Sequence, residues 1–210
     1  MSVLEFCRGM VFRATGRIYV PPEIKRAPEK KILHISDTPT EFYPAVKDLI
    51  TELKPQVLIH TGDLADDIKL ELDPGKSTVY RRAAASLIAL LEESCAGKIY
   101  ITPGNHDMAS VIDEYSRHAR LVGEGEIISV GDMSLGLAHR VKKLPVGTDF
   151  NLYGHNFHPG PRDDRYRYLN GLNEVNIIFY PSRRVYKLPY PWSINAHRKM
   201  DAYYGLPGSI

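Results

Sequence analysis

A chain of 210 residues that is 43% hydrophobic and 25% charged can bury one sizeable core and is short for two, so a single domain is expected. The net charge of +2 is laid out as an acidic middle between basic ends, which reads as solvated surface and by itself points to no polyanion or membrane partner. No apolar run of about 18 residues occurs, MSVLEFCRGMVFRATGR lacks a signal-peptide core, and Cys7 and Cys95 stand alone, so a soluble cytoplasmic protein with reduced thiols is expected.

Residues 1–30, with VPPEIKRAPEKK, precede the first core strand and read as an extension on the surface, and residues 31–210 read as one domain. KILHIS (31–36) is a buried strand, and EFYPAVKDLITELKP places Ala45, Val46, Leu49, Ile50 and Leu53 on one helical face before Pro55 stops it. QVLIHT (56–61) is a second strand, followed through a polar connection by the Ala- and Leu-rich helix STVYRRAAASLIALLEES with Ser77 as its expected N-cap. KIYIT (98–102) leads into SVIDEYSRHARL as a third such unit. The pattern then changes to strands: EIISV, MSLGLAH, FNLYGH, NIIFY and RVYKL. The fold class is α/β with a β-rich C-terminal half.

Polar residues gather at the ends of these strands. Asp37 follows the first and Asp63 the second, Asn105 and His106 follow the third, and His139 and His155 end two of the later ones. In an open α/β sheet the crevice beyond the strand carboxyl ends is where ligands bind, so side chains far apart in sequence converge there. Two carboxylates, an amide oxygen and several imidazoles form a mixed oxygen and nitrogen set suited to Mn, Fe, Zn or Co and unsuited to a Ca site. Each residue alone would be an ordinary turn or interior residue. Five ordered blocks, SDTPT, TGDLADD, PGNHD, LAHR and YGHNFH, are the signal.

In that order the blocks resemble the calcineurin-like metallophosphoesterases, whose pattern is Asp-x-His, Gly-Asp-x-x-Asp, Gly-Asn-His-Asp/Glu, a single His, and Gly-His-x-His. The resemblance runs from about Lys31 to Leu188. It implies a central β-sandwich flanked by α-helices and hydrolysis of a phosphomonoester or phosphodiester, a nucleotide being one such substrate. It also implies one or two divalent ions per chain, most plainly Mn, Fe, Zn or Ni. By the same resemblance Asp63 bridges two metals, Asp37 binds one of them, and Asn105, His139 and His155 complete the other. His106 is then the catalytic imidazole, with Asp107 orienting it. Asp66 is either a residue that orients a ligating imidazole or a turn aspartate. Paired metals about 3.5 to 4 Å apart lower the pKa of water and neutralise phosphoryl oxygens, which is why such ligands are needed.

Two departures fall on the same metal. Pro39 stands where the pattern has a ligating His, and Phe157 stands where Gly-His-x-His has its second His, with His158 displaced by one residue. A one-residue bulge after Asn156 would bring His158 back as a metal ligand. Otherwise the chain is a one-metal esterase or, as the alternative, a weak or inactive scaffold that binds a protein partner. The Arg- and Tyr-rich stretches PGPRDDRYRYLNG, YPSRRVYKLPYPW and AHRKMDAYY suit base stacking and suit sheet packing equally. No duplex-recognition motif accompanies them, and packing is the preferred reading over nucleic acid.

Overall fold

The computed structural model describes residues 3–157 and 167–199. Two helices, α1 (Val3–Ala14) and α2 (Pro22–Lys25), come first. No residue of α1 is buried, whereas Ile18, Val20 and Ile24 behind it enter the main core. β1 (Lys30–Ile35) follows, and its alternation shows why the fold needs three layers: Leu33 and Ile35 face one side, Ile32 the other, and both sides are buried. α3 (Tyr43–Leu53) buries the face read from the sequence and closes on Lys54, left-handed at φ 47°, whose N–H returns to the Ile50 carbonyl just before Pro55.

β2 (Val57–His60), α4 (Ser77–Glu92) and β3 (Lys98–Ile101) repeat the plan, with Leu58, Ile99 and Ile101 toward the helices and Val57, Ile59 and Tyr100 away from them. Ser77 is not a capping residue. A 3-10 turn over Pro74–Lys76 runs straight into the helix, so Ser77 is its first helical residue and no side chain caps it. SVIDEYSRHARL also differs from the helix expected. α5 (Ala109–Tyr115) stops at Ser116, and β4 (Ala119–Leu121) follows, because Glu92 at the end of α4 accepts the N–H groups of Arg117, His118 and Ala119 at 2.8, 2.7 and 2.8 Å.

The later strands are β5 (Glu126–Val130), β6 (Met133–Leu137), β7 (Phe150–Tyr153), β8 (Arg167–Asn170), β9 (Glu174–Tyr180) and β10 (Val185–Pro189), with a short α6 (Ile194–His197) after them. They complete a six-stranded sheet in the order β10-β9-β1-β2-β3-β4 and a four-stranded sheet in the order β5-β6-β7-β8. The sheets face each other across Ile32, Val57, Ile59, Leu135, Leu137 and Leu152, and α3 to α5 cover the outer face of the larger one. This is the α/β sandwich expected. β1 to β4 are parallel, and so are β6 to β8, so both sheets present their strand carboxyl ends at one crevice. No helix among the described residues is long and apolar enough to cross a membrane.

The Arg- and Tyr-rich stretches lie partly outside the described residues. Where they are described, they pack: Arg183 pairs with Asp149 and Asp132, Arg184 with Glu29, and buried Tyr190 donates to the Gly171 carbonyl. Arg198 is fully buried and donates to the carbonyls of Asp37 and Leu172, each at 2.7 Å, which ties the C-terminal segment to the loop after β1.

Candidate metal centre

Three loops at the carboxyl ends of β1, β2 and β3 are locked together before any functional side chain is considered. Asp37 and Thr38 donate their N–H groups to the carbonyls of Gly62 and Asp63, each at 2.9 Å. Behind them His60 is buried with its Nε2 2.9 Å from Thr38 Oγ1, and its Nδ1 accepts the Gly62 N–H. Burial pushes both His60 and His34 down to about 3, so these strand histidines are neutral interior residues. His34 bonds Thr61 Oγ1 at 2.9 Å.

On this frame the structure brings together Asp37, Asp63, Asn105, His106, Asp107, His139 and His155. His139 Nδ1 donates to the Thr61 carbonyl at 2.7 Å, a bond a carbonyl can only accept, so Nε2 is the nitrogen that could bind a metal once it gives up its proton. That nitrogen is 2.9 Å from Asn105 Oδ1 and 3.3 Å from Asp63 Oδ2. A nitrogen of His155 joins the group, with donor atoms of Asp63, His139 and His155 all within 4.8 Å of one another. The backbone N–H of His155 donates to Asp37 Oδ2 at 3.1 Å, and that of His106 to Asp63 Oδ1 at 2.8 Å.

The glycines of the blocks explain the closeness. A Cβ on Gly104 would fall 2.2 Å from Asp63 Oδ1, and one on Gly154 would fall 2.3 Å from Asp37 Oδ2. Asp37, Asp63 and His155 themselves hold left-handed backbones at φ 51°, 56° and 61°, strain of the kind concentrated at functional sites. The donor set fits a divalent ion of the Mn, Fe, Zn or Ni kind. Burial alone would lower the His139 imidazole, but the Asp63 carboxylate beside it brings it up to about 10. Burial likewise works against ionisation of Asp63, and the positive side of His139 more than offsets it, holding that carboxyl well below its usual range. Ligand atoms that face one another in an ion pair are atoms a cation would draw apart and share.

Asp107 does not orient His106. Its carboxylate accepts the N–H groups of Asp63, Leu64 and Gly104 at 2.7, 2.9 and 2.8 Å and the Tyr80 hydroxyl at 2.9 Å, so it clamps the loop after β2 to the loop after β3. Consecutive residues in a turn point apart, which is why adjacency in sequence misled here. The His106 ring faces Glu71 instead: Nδ1 accepts the Glu71 N–H at 3.3 Å and lies 4.0 Å from its carboxylate. Burial lowers the His106 pKa, so the ring is neutral with its proton on Nε2.

Glu71 also accepts the Asn105 side-chain N–H, which sets the amide with Oδ1 toward His139. Neither Glu71 nor Lys69 is legible in the sequence, because both sit in the connection after β2 where no periodicity marks them. Lys69 bonds Asp66 Oδ1 at 2.6 Å with both side chains buried. Burial, then Asp63 and Asp37, push the Asp66 carboxyl up to about 8 against the pull of Lys69. Donor atoms of Asp66, Asp63 and His106 lie within 4.8 Å of one another. On the side of the lost ligands, Pro39 is buried without a donor atom and Phe157 offers only its carbonyl, which Asn173 occupies at 2.9 Å. His158 lies outside the described residues. Glu71→Ala is expected to loosen a bound ion by about 10- to 100-fold through loss of its hydrogen bond to the Asn105 amide, read as a metal dissociation constant.

The family model described as calcineurin-like phosphoesterase matches residues 30–197. Among solved structures, Yfce, a phosphoesterase from E. coli, is 18% identical and aligns over 77% of this chain and 99% of its own with a TM-score of 0.51. A second structure, 9% identical, aligns over 78% of this chain and 99% of the other at 0.55. Nuclease MPE from Pseudomonas putida is 16% identical over 82% of this chain and 99% is not reached on its side, where 92% aligns, at 0.43. At such identities the first two likenesses concern the fold alone. No curated protein matches the chain.

Proposed function

The chain belongs to the calcineurin-like phosphoesterase family, and from that premise we propose that it hydrolyses a phosphate monoester or diester with one tightly held divalent ion. The observation that carries this reading is His139: its Nδ1–H is spent on the Thr61 carbonyl, and its Nε2 is aimed at Asp63 and Asn105. Asp63, Asn105, His139 and His155 would hold the ion. A divalent ion there lowers the pKa of water and neutralises phosphoryl charge. His106, whose Nδ1 accepts the Glu71 N–H, is the imidazole assigned to meet a phosphoryl or leaving-group oxygen. Water adds to phosphorus as the bond to the leaving oxygen breaks, and that oxygen gathers the charge His106 is placed to meet. Asp37 shapes the other side, and residues 31–210 act as one catalytic domain, with the 1–30 extension laid on its surface and anchored into its core by Ile18, Val20 and Ile24. Two exposed free cysteines favour a reducing compartment such as the cytoplasm.

Metal content tests the reading. After reconstitution with Mn, Fe, Zn or Ni, elemental analysis is expected to find about one tight equivalent per chain, lost in His139→Ala and in Asn105→Ala, with any second equivalent weaker. Two equally tight equivalents, with one lost in His158→Ala, would restore the bulged ligand. No uptake of any of these metals would leave a partner-binding scaffold as the better account, favoured by the missing donors at Pro39 and Phe157.

A further inference from the structure

Among the described residues, five of the eleven large hydrophobic side chains left exposed belong to one twelve-residue helix, α1. Val3, Leu4, Phe6, Met10 and Val11 are between 37% and 82% exposed, and Cys7 is exposed among them. At about 100° per residue these six occupy a continuous arc of roughly 160° with no charge inside it. The half-buried residues of α1, which face the rest of the chain, are Glu5, Gly9, Phe12 and Arg13. Phe12 meets Tyr19 edge-on with ring centres 5.5 Å apart, and Arg13 Nε donates to the Tyr190 carbonyl at 3.1 Å. A surface helix ordinarily turns its apolar stripe to the core and its charges to water. α1 is held the other way round, and a contiguous apolar surface of this kind marks a docking face.

The charges around the arc say what covers it. On the helical wheel Arg8 borders the arc beside Leu4 and Arg13 borders it beside Phe6, so both edges are cationic. The first 31 residues hold seven Lys/Arg against three Asp/Glu, which concentrates the net charge of +2 in this segment. Trp192, the only tryptophan of the chain, stands at the Arg13 edge. It is 54% exposed, its backbone N–H donates to the Arg13 carbonyl at 3.3 Å, and the Arg13 guanidinium lies 5.4 Å from its ring centre. We propose that α1 lies in the headgroup layer of an anionic membrane, with its apolar arc toward the acyl chains, Arg8 and Arg13 among the lipid phosphates, and Trp192 at the interface. At about 18 Å the helix is too short to span a bilayer, so it rests on the surface. A second copy of the chain is the poorer occupant. Twelve residues are under two heptads, a facing helix covers a seam narrower than this arc, and a two-fold pairing would set cationic edges against each other. The proposal is independent of the phosphoesterase reading, because it concerns where the chain sits.

The test mixes the full chain with vesicles of phosphatidylcholine, with and without phosphatidylglycerol, and follows cosedimentation and Trp192 fluorescence. The wild type is expected to bind the anionic vesicles with a blue shift of its emission, and to be released as salt is added. Leu4→Glu with Val11→Glu is expected to lower the partition coefficient about tenfold or more, and Arg8→Glu about fivefold or more. Val146→Glu, at an exposed apolar residue outside the patch, is expected to bind as the wild type does. No residue of α1 is buried, so these variants are expected to keep the wild-type melting temperature. Should one fail to fold, the salt-sensitive Trp192 shift of the wild type is read without it. A wild type that neither sediments nor shifts, equal binding to both kinds of vesicle, or a double glutamate variant that binds fully would each overturn the proposal. A wild-type dimer in sedimentation that the double variant dissolves would overturn it in favour of a second copy.

Discussion

Replacing His106 by alanine is expected to leave the tight metal in place and to lower the metal-dependent release of nitrophenolate from an aryl phosphate ester by about 10²- to 10⁴-fold. Asp63→Ala is expected to abolish both metal and rate. The contrast follows from what each residue touches. The Asp63 carboxylate stands against His139 and accepts the His106 backbone N–H, so its removal dismantles the group that would hold the ion. The His106 ring is anchored by the Glu71 N–H and holds no ion in the proposed arrangement, so its loss is expected to cost rate and to spare the metal. Aryl esters suit the comparison because their good leaving groups make even a one-metal centre measurable. An unchanged rate in His106→Ala would remove the role assigned to the imidazole, and a lost metal would make it a ligand.

Where the candidate site is built from strand ends, the sequence was enough to name residues that the fold brings together. Asp37, Asp63, Asn105, His139 and His155 each end a short apolar run, and parallel strands carry such ends to one crevice whatever their separation in the chain. What could not be read lies in connections and in through-space partners. Lys69 and Glu71 sit in the connection between β2 and α4 (61–76), where Lys69 meets Asp66 three residues before it and Glu71 meets Asn105 and His106 of a different loop, contacts that no pattern along the chain announces. β4 and β8 are three and four residues long, too short for alternation to register. The break after Tyr115 depends on Glu92 of another element capturing three N–H groups, a tertiary contact that overrides local helical preference.

The Asp107→Ala variant is expected to lose about 3 to 5 kcal/mol of stability, roughly 10 °C or more in Tm, together with tight metal binding. The magnitude comes from the groups left behind. Alanine would strand the N–H groups of Asp63 and Leu64, both buried residues, along with that of Gly104 and the hydroxyl of Tyr80 on α4. Each buried donor without an acceptor costs about 1 to 3 kcal/mol, and partial rewetting keeps the sum below the simple total. Because Asp63 donates to Asp107 and also faces the metal side of the centre, slackening that clamp displaces the one carboxylate shared by the whole cluster. Asp107→Asn retains a single accepting oxygen but turns an N–H toward a donor, so it should fall between alanine and wild type. Thermal unfolding of the three proteins, followed by elemental analysis, separates this clamp from an orienting role. A variant that kept its Tm and its metal and lost only its rate would return Asp107 to the His106 ring.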